Sequence, residues 1–292
     1  MEKIEEKNID NPEEAAKDQY IWRFEPFLSF LHILVIISFL ALAFTGMTIK
    51  FSGVGVFQFA SKIMGGYEVT GFIHRFAAVI TFTYFILHIW YLIKKVTKEK
   101  KDFKYMFTGE NSMVPNLRDW KEFVGTVKWF FGVGNRPDYG RWTYWEKFDY
   151  FAVFWGVAVI GGSGLMLWFP EFFTALGLPG WLINVATIIH SDEALLATGF
   201  IFTIHFFNTH FRPDKFPMDK VIFTGRVPLE EFKKDRPREY QILVETNRLE
   251  KRLAPPPPEW LVKSARIFGF TALTIGLSII VMIIYSMIFL YR

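Results

Sequence analysis

The 292-residue chain is 51% apolar and 19% aromatic, and its formal net charge at pH 7 is +4. It has no cysteine, which excludes disulfides, thiolate-held iron–sulfur clusters and c-type haem attachment within this chain. The basic residues fall mainly in two loops, as the positive-inside rule expects of a membrane protein, so nucleic-acid binding is not expected.

Five apolar runs are long enough to cross a lipid bilayer, since about 20 helical residues span its hydrocarbon core. In chain order they are Phe27–Met47, Gly71–Ile93, Phe151–Phe169, Ile183–Phe211 and Ile267–Leu290. We predict an all-α membrane protein, with a four-helix transmembrane bundle and a fifth, C-terminal transmembrane helix.

The rest of the chain organises around these runs. Residues 1–25 form a polar tail without a signal peptide, expected to be disordered or bound to a partner. The bundle occupies residues 26–212 with a basic loop at 94–147, a second basic loop and proline-rich linker occupy 213–262, and the fifth helix occupies 263–292. Because Lys and Arg mark cytoplasmic loops, we predict a multi-pass protein of the cell inner membrane. Its N-terminus is predicted to be cytoplasmic and its C-terminus outside.

All six histidines lie inside or at the edges of the apolar runs: His32, His74, His88, His190, His205 and His210. An ionisable group within a span is costly and marks function by default.

The spacing of the histidines indicates two sites. His74 and His88 are 14 residues apart, on one helix face and about 21 Å apart along the axis. His190 and His205 are 15 apart, about 60° around their helix and roughly 22 Å along it. Both helices run from outside to inside, so together they offer two bis-imidazole sites. Low-spin b-type haem takes two axial nitrogens, and imidazole suits iron.

The outer pair is predicted to be His74 with His190, whereas the inner pair stays open. His32 shares the inner depth with His88 and His205, so two residues compete as the partner of His205. His210 lies at the membrane surface, and a third haem using the spare histidines is possible.

Polar residues accompany the outer pair. Arg75 is a candidate for a haem propionate, or for an ion pair with Asp192 or Glu193. Those two acids, in turn, are candidates for relaying quinol protons. Gly46 and Gly164 are among the small residues that permit close approach of a flat macrocycle, although small residues also serve plain helix packing.

At these residues the chain resembles the gamma (cytochrome b) subunit of membrane formate dehydrogenases. The matching pieces include His32 with Gly46, Ile73-His74, Ser163-Gly164, and the pairs Ile189-His190 and Ile204-His205. The resemblance implies a haem bundle that passes electrons from an iron–sulfur partner to menaquinone. In it, His74 and His190 would hold the outer haem, and His32 and His205 the inner one.

The added His88, the 15-residue spacing and the fifth span depart from that pattern. His74-Arg75 with Leu87-His88 resembles instead the cytochrome b of quinol:cytochrome c oxidoreductases, where the second and fourth helices supply all four ligands.

The sequence therefore predicts an electron-transfer subunit of a membrane oxidoreductase complex. Two haem b groups would exchange electrons between a quinone and iron–sulfur, molybdopterin or multihaem cytochrome subunits. The alternatives are an ion or proton transporter and a haem-free membrane anchor.

Overall fold

The computed structural model describes residues 19–98, 104–109 and 111–290. Most of the predicted N-terminal tail, residues 1–18, lies outside these residues. The chain divides into two compact units, one built from residues 30–114, 145–219 and 266–292, and the other from residues 1–29, 115–144 and 220–265.

The first unit, here called the span unit, contains most of five long apolar helices. Each coincides with one of the predicted runs to within one residue at its C-terminal end or extends past it, and each begins earlier than predicted, so the predicted all-α membrane fold is confirmed. The spans are Pro26–Lys50, Tyr67–Lys98, Tyr144–Trp168, Trp181–Phe211 and Glu259–Phe289. Most of their surface is apolar and unburied, as expected of helices surrounded by lipid.

The core of the span unit joins the first, fourth and fifth spans. It contains Met47, Phe202 and Ile279, with other apolar residues packed around them. Gly276 of the fifth span is needed there, because a Cβ at this position would lie 2.8 Å from ring atoms of both Phe202 and Phe206. The fifth span therefore packs against the fourth through a glycine contact, in the way small residues bring membrane helices together.

Three of the spans are not regular α-helices throughout. The fifth is α-helical over Glu259–Tyr285 and ends in a π segment at Ser286–Leu290. The third is π-helical at Val157–Gly161, between α-helical Tyr144–Gly156 and Gly162–Trp168. The fourth is α-helical over Trp181–Phe200 and π-helical at Ile201–His205 and Phe207–Phe211. Short π segments often mark functional sites in helices. The remaining elements of this unit include the helices Gly55–Met64, Tyr105–Thr108 and Pro170–Ala175.

The second unit, here called the loop unit, contains a small antiparallel sheet. Strand β1 (Tyr20–Trp22) lies between β2 (Arg226–Pro228) and β3 (Leu253–Ala254). Around it lie the helices Leu117–Phe130, Val221–Thr224, Leu229–Asp235 and Pro237–Glu245, and a 3-10 turn at Glu250–Arg252. The core of this unit consists of Ile21, Val227, Phe232 and Leu243.

A buried ion cluster stabilises the loop unit around one carboxylate. Arg141 donates to Glu239 Oε1 at 2.8 Å, and Arg252 does so at 3.4 Å. Arg23 lies 3.7 Å from the other oxygen of Glu239. Burial by itself would raise the pKa of Glu239, but the three guanidinium groups outweigh that effect and hold its pKa below the ordinary value.

Candidate haem-binding site

His74 of the second span and His190 of the fourth face each other in the span unit. Their ring centroids are 6.0 Å apart and their ring planes are 80° to one another. When one metal ion binds two imidazoles, each metal–nitrogen bond is about 2 Å long. Adding the distance from nitrogen to ring centre on each side gives an expected separation of about 6 Å between the two ring centroids. The pair thus fits one metal ion held between two imidazoles.

Hydrogen bonds fix which nitrogen of each ring is available to iron. His190 Nδ1 lies 2.9 Å from the carbonyl oxygen of Ile160, which can only accept, so Nδ1 carries the proton. His74 Nδ1 lies 2.9 Å from the hydroxyl of Thr45. That hydroxyl donates to the carbonyl of Ala41 at 2.6 Å, so it accepts from His74. In both neutral rings the lone pair is therefore on Nε2, the arrangement typical of metal-binding histidine.

Glycines make room for both rings. A Cβ at Gly164 would lie 2.9 Å from His190 Cε1, and a Cβ at Gly46 would lie 3.3 Å from His74 Cε1. Neighbouring Gly162 differs, since a Cβ there would meet nothing within 4 Å. Gly164 and Gly46 hence allow the third and first spans to approach the two imidazoles closely. Their role at the imidazoles explains these two glycines better than general helix packing does.

A second group of histidines lies elsewhere in the span unit. His32 is close enough to His205 and His210 to interact with both electrostatically. His205 Nδ1 donates to the carboxylate of Asp149 at 2.8 Å. Its Nε2 is then left with a lone pair, as in His74 and His190.

His210 has the opposite arrangement. Its Nδ1 accepts a hydrogen bond from the backbone N–H of Asp219 at 3.3 Å. In the neutral ring the proton is then on Nε2, so that nitrogen has no lone pair for iron. Of the two histidines near His32, His205 is the one prepared as a ligand.

The π segment at Ile201–His205 accounts for the 15-residue spacing in the fourth span. A π turn takes up one residue more than an α turn, because its hydrogen bonds join residue i to i+5 rather than i+4. The extra residue therefore turns His205 back by about 100°, to the face on which a 14-residue spacing would place it.

His88 lies in a different environment. Its Nε2 is 2.9 Å from the hydroxyl of Tyr150. Its ring packs against Tyr91, Tyr150 and Phe154, with centroids 5.6 to 6.5 Å away. The nitrogen that would bind iron is thus engaged by a phenol.

The three polar residues predicted beside the outer pair do not form one cluster. Asp192 binds Lys50, with 3.0 Å between Oδ1 and Nζ. Glu193 is at the limit of hydrogen bonding to the indole nitrogen of Trp155, at 3.5 Å. Arg75 is exposed. Ion pairing between Arg75 and Asp192 or Glu193, one of the alternatives, is therefore not what the structure shows.

Sequence reasoning missed several residues of the site: Thr45, Asp149, Tyr150 and Lys50. Asp149 was missed because the predicted third run begins at Phe151, two residues further on, whereas the helix begins at Tyr144. Thr45 offered one signal, since it directly precedes Gly46.

Membrane-spanning helices that present opposed imidazoles define a class, the membrane b-type cytochromes. Residues 6–109 match the family described as prokaryotic cytochrome b561. No curated protein matches the chain. The match covers the first two spans, including His32, His74 and His88.

This similarity confirms the predicted membrane b-type cytochrome, with electron transfer, haem b and a multi-pass location in the inner membrane. It does not indicate a formate dehydrogenase subunit in particular.

Proposed function

We propose that the chain is the di-haem electron-transfer subunit of a membrane respiratory complex, exchanging electrons between a quinone, such as menaquinone, and redox partner subunits. The observation that carries this proposal is the His74–His190 pair, with rings 6.0 Å apart and both Nδ1 protons directed to protein oxygens. When bound, haem b supplies a one-electron iron couple.

The residues around this pair orient and enclose it. Thr45 and the carbonyl of Ile160 hold the two ring nitrogens, which fixes the orientation of each imidazole. Gly46 and Gly164 have no Cβ, and a Cβ at either position would displace the neighbouring imidazole. Arg75 is our candidate for a propionate, because it directly follows His74 and is not engaged by Asp192.

The second haem is assigned to His32 and His205. Asp149 orients His205 and places a carboxylate beside it, which strengthens the imidazole as a ligand. His88 remains the alternative partner, and its removal is part of the test below. No third haem is proposed, because the Nδ1 of His210 is an acceptor.

Other parts of the proposal come from the sequence. The cytoplasmic N-terminus and external C-terminus rest on the basic loops. With no cysteine in the chain, iron–sulfur clusters must be provided by a partner, so iron–sulfur, molybdopterin or multihaem subunits are proposed as electron donors or acceptors. Asp192 and Glu193 are proposed to relay quinol protons on the outer side.

The haem content of histidine variants tests both proposed haem sites and the choice between His32 and His88. We expect His74→Ala, His190→Ala and the double variant each to lose the same one of two haems, measured as b-type absorbance per protein chain. His32→Ala and His205→Ala are expected to lose the other haem. His88→Ala and His210→Ala are the controls and should retain both.

Two outcomes contradict the assignment. If His88→Ala rather than His32→Ala removes the haem lost in His205→Ala, the second pair is wrong. If wild-type protein has no haem absorbance, a transporter or an anchor replaces the cytochrome as the explanation.

A further inference from the structure

The helix Leu117–Phe130 in the loop unit carries a wide apolar face that is largely exposed, with only Phe123 packed edge-on against a described ring, that of Tyr144. At 100° per residue this face occupies an arc of about 140°. Three of its side chains are among the most exposed apolar groups of the chain: Leu117 at 84%, Trp120 at 65% and Phe130 at 78%. Phe123 and Val127 complete it. An exposed aromatic patch of this kind marks an interaction surface.

The opposite side of the helix is fixed within its own unit. Gly125 faces Pro137 so closely that a Cβ would lie 2.9 Å from its ring. Thr126 is hydrogen-bonded to the hydroxyl of Tyr139 at 2.6 Å. A capping box between Asn116 and Asp119 fixes the start of the helix. The helix is therefore held in a fixed orientation, with Leu117, Trp120 and Phe130 left highly exposed.

The exposed charge on this helix is entirely positive. Arg118, Lys121 and Lys128 are exposed on an arc beside the apolar face. The two acids, Asp119 and Glu122, are buried. A helix with Trp, Phe and Leu on one face and flanking basic residues is typical of segments that lie in the membrane interface. Anionic headgroups attract such basic residues.

A lipid surface fits these residues better than a protein partner does. Lys is depleted in protein interfaces, whereas Trp favours the headgroup zone of a bilayer. In the sequence this helix lies between two membrane spans, one that ends at Lys98 and one that begins at Tyr144. We propose that Leu117–Phe130 lies in the headgroup zone of the bilayer that the chain spans, with its apolar face in the lipid and its basic residues on anionic phospholipids.

Spin labels can test this directly, because the chain has no cysteine. The full chain is placed in nanodiscs of phosphatidylcholine and phosphatidylglycerol, with a nitroxide on Trp120→Cys or on Phe130→Cys. A label on Glu245→Cys, exposed on another helix of the loop unit, is the control. We expect the first two labels to collide severalfold more often with oxygen than with a water-soluble nickel chelate, relative to the control.

The basic residues are tested in the same system. Arg118, Lys121 and Lys128 are replaced together by Gln, and Lys251→Gln, at another exposed position, is the matched control. The triple variant should move the Trp120→Cys label towards water when phosphatidylglycerol is present and leave it unchanged in pure phosphatidylcholine. Labels as open to the nickel chelate as the control, or shielded from both reagents by protein, would overturn the proposal.

Discussion

Asp149 of the third span accepts a hydrogen bond of 2.8 Å from His205 Nδ1 of the fourth. Both side chains are largely buried, with 14% of Asp149 and 20% of His205 exposed. A carboxylate in this position makes the imidazole a stronger electron donor to iron. In a low-dielectric surrounding, its negative charge also stabilises the more positive, oxidised state of a nearby metal.

The first prediction follows from that hydrogen bond. Asp149→Asn keeps a hydrogen-bond acceptor but removes the charge, so the midpoint potential of one haem should rise. We expect a rise of about 40 mV, equivalent to roughly 1 kcal/mol for one electron. The measurement is a redox titration of the b-type absorbance band. The potential of the other haem is the internal control.

Asp192→Asn is the matched external control, since Asp192 is far more exposed and pairs with Lys50. It should leave the same potential unchanged. A fall in potential in Asp149→Asn, or equal shifts of both haems, would contradict the role given to Asp149.

The glycine beside His190 gives the second prediction. In Gly164→Ala the new methyl group would lie 2.9 Å from His190 Cε1, so either the ring or the third span must move. We expect loss or strong weakening of the haem at His74 and His190, measured as b-type absorbance per chain. Gly162→Ala, two residues away with open space at the Cβ position, should retain it. Full haem content in both variants would show that Gly164 does not constrain the site.

The spans and the histidine faces could be predicted from sequence because they depend on local quantities. An apolar run of sufficient length and a fixed rotation per residue are enough for both. The loop unit could not be predicted in this way. Strand β1 has three residues, and it pairs with Arg226–Pro228 and Leu253–Ala254, about 200 residues away. Such short, distant pairings leave no periodic pattern in the sequence.

In the candidate site, too, local features could be predicted from the sequence and features that depend on distant residues could not. The outer pair, His74 with His190, follows from spacing on regular helices, and the structure brings the two rings together. The inner pair could not be decided, because His32 and His88 both share the depth of His205 and spacing along each helix does not reveal which helix faces which. The hydrogen-bond partners of the rings depend on distant residues such as Asp149, which no spacing rule identifies.

Docking of the fifth span gives the third prediction. Gly276→Ala would place a methyl group 2.8 Å from ring atoms of Phe202 and Phe206. Overpacking of this kind costs about 1–3 kcal/mol, so the thermal unfolding midpoint in detergent should fall. Gly199→Ala in the fourth span, with nothing within 4 Å of the new methyl group, is the control and should not lower it. An unchanged midpoint in Gly276→Ala would mean that the fifth span is held elsewhere.

The buried cluster in the loop unit gives the last prediction. Glu239→Gln leaves Arg23, Arg141 and Arg252 without their shared carboxylate, and removal of one partner from a buried ion pair costs about 3–5 kcal/mol. Hydrogen exchange should rise in β1 and in the helix Pro237–Glu245. Glu245→Gln, at the exposed end of the same helix, is the matched control and should change little.

The pH dependence of the loop unit has a definite sign. The pKa of Glu239 is lower in the folded unit than its ordinary value of 4.5. The stability that its charge contributes is therefore complete above that pH and is lost as the pH falls through the lowered pKa. The protection factors of the β1 amides, which are exchange rates corrected for the intrinsic effect of pH, should accordingly fall below about pH 4.5 in the wild type. In Glu239→Gln these protection factors should already be low at neutral pH and fall less on acidification, because the titrating group is gone. An equal acid response in both proteins would assign the pH dependence to other carboxylates.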